Sequence, residues 1–118
     1  MQYVRGVFAG CVTFLALAAF CICVQSRSYA GDLKAGRAKA ETCAVCHGID
    51  GLAKIPEAPN LAGQNERYLI EQLSAFQAGI RNNEMMSIVI KDLSQTDIED
   101  LAAYYSAIEI TVAKIPGG

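Results

Sequence analysis

The chain is short of the groups from which most metal and redox sites are assembled. One histidine, His47, stands among 118 residues, and no cysteine follows Cys46. A four-ligand zinc site would have to draw its remaining donors from carboxylates or a second chain. Basic runs are missing too, and the net charge is −2. That balance disfavours nucleic acid and gives any charge-steered partner a positive patch. The sequence around Cys43 and Cys46 also lacks the strand alternation of a thioredoxin-like sheet, and a redox dithiol has no use for a histidine directly after its second thiol.

What is present is concentrated in Cys43-Ala44-Val45-Cys46-His47. Two thiols three residues apart followed at once by histidine is the attachment signature of c-type haem. On a helical turn, residues three apart share a face, so both sulfurs reach the vinyl groups along one porphyrin edge. His47 is then carried under the ring with one nitrogen toward iron.

The other three cysteines, Cys11, Cys21 and Cys23, lie in an N-terminal stretch with the marks of a leader. Arg5 supplies a positive n-region, Val7 to Val24 is uncharged, and Ser28-Tyr29-Ala30 has small residues where signal peptidase reads. The expectation is a signal peptide over 1–30, cleaved after Ala30, and a single domain over 31–118. The alternative is an uncleaved anchor, because 18 residues is the lower edge of what spans a bilayer. Cleavage leaves 88 residues and removes only Arg5 and Arg27, taking the charge to −4. A protein-only core of that size is marginal, and a covalent porphyrin takes the place that disulfides fill in other secreted domains. The domain is expected to be unfolded without haem.

Helices account for most of the rest. Asp32 is a candidate N-cap for a helix over 31–42, in which Leu33, Ala35 and Ala38 are apolar or small and Gly36 marks either a close helix crossing or a helix that starts only after it. Residues 48–63 hold Gly48, Gly51, Pro56, Pro59 and Gly63 and have no period, so they form a loop of a length that wraps something. Within it, Pro59 offers a carbonyl that can accept from the free ring nitrogen of His47, or is simply a turn proline, and Leu61 would pack on the porphyrin. Leu69, Leu73 and Phe76 mark a core helix over 65–78. Met85 and Met86 follow in a segment read as extended, where adjacent side chains point to opposite sides. A last helix opens at Ser94 with Asp97 three residues on, carrying Ile98, Leu101, Tyr105 and Ile108 as its apolar stripe, widened by Ala102 and Tyr104.

In this order the elements resemble those of bacterial class I c-type cytochromes, and most of all one half of the diheme periplasmic cytochromes c. The resemblance runs through Gly31-Asp32 with Gly36, Cys43 to Gly48, Pro59 to Gln64, Arg67-Tyr68-Leu69, Met85-Met86, and Leu93-Ser94 leading to Tyr104-Tyr105. It implies an all-α cytochrome c fold around one covalent haem c, with the first and last helices crossing and Gly36 facing an aromatic near Tyr104. It also implies His and Met as axial iron ligands. In the similar cytochromes the ligand Met lies seven residues before the Leu that precedes the last cap, and counting back from Leu93 gives Met86.

The function expected is that of a periplasmic one-electron carrier between a redox protein donor and acceptor, with no small-molecule substrate and no catalysis. It touches a membrane only if the leader is retained. The alternative is a haem subunit of a membrane-associated oxidoreductase complex, tethered by that leader or stably docked. A gas sensor or peroxidase-like enzyme would need a vacant or labile sixth position.

Overall fold

The computed structural model describes residues 31–117, so the expected signal peptide lies outside the described residues. Among the described residues five helices make up the regular structure: α1 (Leu33–Lys39), α2 (Ala44–His47), α3 (Glu66–Gln77), α4 (Glu84–Val89) and α5 (Gln95–Ser106). None of them is long and apolar enough to cross a membrane.

The two ends of the domain are built against each other. Asp32 caps α1 by accepting from the N–H groups of Lys34 and Ala35, both at 2.8 Å. Ser94 caps α5 within a reciprocal capping box, its hydroxyl accepting from Asp97 N–H while the Asp97 carboxylate accepts from Ser94 N–H. Where α1 meets α5, Gly36 is buried, and a Cβ there would drive into the Asp100 carbonyl and crowd Cβ of Tyr104. Only glycine allows that approach. Two polar links fix the crossing: Asp32 N–H donates to Asp100 Oδ1 at 2.7 Å, and Lys39 Nζ lies 2.7 Å from Asp97 Oδ1.

Behind this crossing α3 packs on α5, joining Leu69 and Ile70 to Ile98, Leu101, Ala102 and Tyr105 in one core with Ala40. Ile98 and Leu101 are almost wholly buried, each worth about 1.5–3 kcal/mol relative to exposure. The predicted stripe of the last helix is thus its buried face, with Ile108 packed at the margin.

The methionine segment differs from expectation. Met85 and Met86 sit on a helix, α4, rather than on extended chain. Asn83 is the cause: its side chain accepts from Met86 N–H at 3.0 Å and starts the turn. Adjacent residues are then separated by about 100° around an axis instead of alternating. No residue within α4 is buried; the residue after it, Ile90, is. Gln77 holds that end from α3, its Nε2 donating to the carbonyls of Leu93 at 2.6 Å and Ile90 at 3.3 Å.

Candidate haem-binding site

Residue 43 begins a single tight turn. His47 N–H donates to the Cys43 carbonyl at 2.9 Å, closing α2 around Cys46. Cys43 and Cys46 are not joined to each other and are both half-buried. Burial pushes the Cys43 thiol up, and the nearby Cys46 adds to the shift. A reactive dithiol needs the opposite shift, which argues against redox-exchange chemistry here. Among the described residues no group of three or more His, Cys, Asp or Glu is gathered that could hold a metal ion, so a zinc centre lacks donors.

His47 is buried, 7% exposed, and its Nδ1 stands 2.9 Å from the Pro59 carbonyl. A carbonyl only accepts, so Nδ1 carries the proton and Nε2 keeps its lone pair free for a metal. The loop is arranged to present that carbonyl. Lys54 N–H donates to the Cys46 carbonyl at 2.8 Å, and the N–H groups of Leu61 and Ala62 converge on the Gly51 carbonyl. Asn60 Oδ1 accepts from Ala53 N–H at 2.8 Å, tying the two sides of the loop beside Pro59.

These elements enclose a cavity of about 540 Å³, within the size range of small-molecule and cofactor sites. Cys43, Cys46, His47, Pro59, Leu61 and Met86 all line it, drawn from α2, the 48–63 loop and α4. Met85 also reaches its edge but is 62% exposed, whereas Met86 is half-buried. Leu69, Leu73 and Phe76 of α3 form apolar wall. Arg81, between α3 and α4, is the one cation among the described lining residues, with its guanidinium 4.4 Å from the Phe76 ring centre and 2.7 Å from Gln72 Oε1. A planar apolar group bearing a metal and carboxylates fits this set of donors: thiols on one turn, an imidazole oriented through Nδ1, a thioether, apolar walls and a guanidinium.

Sequence reasoning passed over Arg81, whose only signal was a cation between two cavity-lining helices. Asp100, in sequence one of the acids suited to the positive end of the last helix, is buried, and its carboxylate serves the backbone at Asp32.

A helical domain with this site defines a c-type cytochrome, and the family model for cytochrome c matches residues 33–107. The chain belongs to the cytochrome c family and carries covalent haem c. It is 43% identical over 83 residues to cytochrome c4 of Pseudomonas aeruginosa, an alignment covering 70% of this chain and 41% of that one. Cytochrome c-554(548) of Halomonas halodenitrificans is 45% identical over 83 residues, covering 68% of this chain and all of the relative. The crystal structure of reduced cytochrome c4 from Pseudomonas stutzeri superposes with a TM-score of 0.62 at 42% identity, over 66% of this chain and 46% of that one. The chain therefore spans about half the length of the cytochromes c4 it matches, and corresponds to one of their domains.

Proposed function

We propose that the protein is a periplasmic one-electron carrier whose single haem is bound through Cys43 and Cys46 and closed axially by His47 and Met86. The observation that carries this reading is the convergence of those four residues on one apolar cavity. The haem supplies the redox couple. The chain's own residues do the rest. Pro59 holds the His47 proton on Nδ1 and so keeps Nε2 available. Leu61 and the α3 wall keep water from the ring, and Arg81 provides a charge for the propionates. With His47 and Met86 both holding the haem iron, the site would leave no place for a substrate, and the two electron-transfer partners would be redox proteins met at the surface.

Such encounters bury less than about 1,200 Å² in total and turn over quickly. A leader removed after Ala30 releases the protein into the periplasm; a retained leader makes it a tethered haem subunit. Intact mass separates these: 31–118 plus one haem supports the free carrier, and Met1–Gly118 plus haem replaces it with the tethered form. Carbon monoxide tests closure. The ferrous protein should bind it slowly and incompletely, and fast, complete binding would overturn the carrier reading.

A further inference from the structure

The loop that carries Pro59 is held from the far end of the chain. Tyr104 Oη donates to the Ile49 carbonyl at 2.7 Å, and Tyr105 Oη donates to the Gly48 carbonyl at 3.3 Å. Tyr105 also takes the other end, its carbonyl accepting from Gly63 N–H at 3.0 Å. Two adjacent residues in the last turn of α5 thus engage the first two residues of the 48–63 loop and its last one. Pro59, between those anchors, engages His47.

The anchored turn is itself stiff. Gly48 has φ +75°, and a Cβ there would meet the Leu52 carbonyl and the Asp50 side chain. Its carbonyl accepts from Gly51 N–H at 3.1 Å as well as from Tyr105. A rigid turn leaves position as its remaining freedom, and the tyrosines remove that. Both rings are seated, packing edge to face with centroids 5.2 Å apart. Tyr105 is buried, which raises its phenol well above the ordinary range and keeps it a donor.

We infer that Tyr104 and Tyr105 are positioning residues for the iron-binding imidazole: with the Gly63 end already tied to the Tyr105 backbone, their hydroxyls clasp the Gly48–Ile49 end of the loop to α5 and so set how firmly the Pro59 carbonyl holds the His47 Nδ1 proton. A firmer bond makes the imidazole more basic, favours ferric iron and lowers the reduction potential. Loosening the clasp does the reverse. The inference rests on the proposal that His47 is an iron ligand.

The test uses the haem-loaded protein with Tyr104→Phe, Tyr105→Phe and both together, which keep the rings and remove only the hydroxyls. Two quantities are read: solvent exchange of the hyperfine-shifted His47 Nδ1 proton in the oxidised protein, and the midpoint potential. In the double variant exchange should speed up about tenfold, the scale of one lost net hydrogen bond, and the potential should rise. Asp32→Ala is the control, since it removes the side-chain cap of α1 without touching the loop; it should lower Tm and leave both readouts unchanged. If the tyrosine variants lower Tm in the same way with exchange and potential unmoved, the clasp is structural only and the inference is overturned. Absence of a hyperfine-shifted His47 ring proton in the unsubstituted protein would instead remove the ligand assignment on which it rests.

Discussion

The α1–α5 crossing and the half of the domain formed by the 48–63 loop and α4 are held together by different means. At the crossing, protein meets protein: Gly36 admits a backbone carbonyl, both helices carry side-chain caps, and Ile98 and Leu101 are almost wholly buried. Across the molecule, the loop and α4 line a cavity of about 540 Å³. No residue within α4 is buried, while Met85 and Ile88 are 62% and 67% exposed. One half supplies its own core. The other is a set of walls whose core is the covalent haem. A domain this small can be built this way because the cofactor's apolar faces replace side chains the chain does not have.

The largest expected effect breaks that division outright. With Cys43→Ala and Cys46→Ala no thioether can form, and the protein should lose its cooperative melt and most of its helical circular dichroism. A cooperative melt with full helical signal would show that the crossing suffices alone. Gly36→Ala probes the other half with haem in place. The added Cβ meets a backbone carbonyl that cannot turn aside, so overpacking should cost about 1–3 kcal/mol in chemical denaturation, with the haem spectrum unchanged.

The smallest effect is electrostatic. Hydrogen bonding from Lys39, reinforced by Ser94, lowers the Asp97 carboxyl to about 2. An unfolded Asp titrates near 3.9 (about), so the folded state prefers the ionised form. This stabilisation is fully present above that value and is lost as pH falls through about 2. Melting temperatures of the wild type and Asp97→Asn should therefore differ by a constant amount above pH ~5 and converge toward pH ~2. A gap that persists unchanged to the lowest pH would assign the effect to packing instead of charge.

The same division governs what could be read in advance. The two helices of the crossing were legible because caps and periodicity are local, Asp32, Ser94 with Asp97, and the stripe through Ile98 and Leu101 all standing within a few residues of what they cap or build; that the helices cross came from the family resemblance. The attachment turn was legible for a related reason, since both thioethers and the histidine come from five consecutive residues. By contrast, α4 was not. Its Ile-Val-Ile run has no period that separates helix from extended chain, and Asn83 sits in a polar stretch where its capping role is one of several open to it. Nor were the tyrosine hydroxyls legible beyond their place on the apolar stripe. Their partners are backbone carbonyls 55 and 57 residues away, and every residue offers a carbonyl.

The axial assignment is where the helix changes the argument most. Alternation no longer separates Met85 from Met86, but burial does, since Met86 is the more enclosed of two cavity-lining thioethers. Alanine at each position, read in the oxidised protein at the Met-to-ferric-iron charge-transfer band, tests the proposed site most directly. Met86→Ala should abolish the band and lower the potential, while Met85→Ala leaves both in place; a band that survives Met86→Ala and disappears with Met85→Ala would contradict the account.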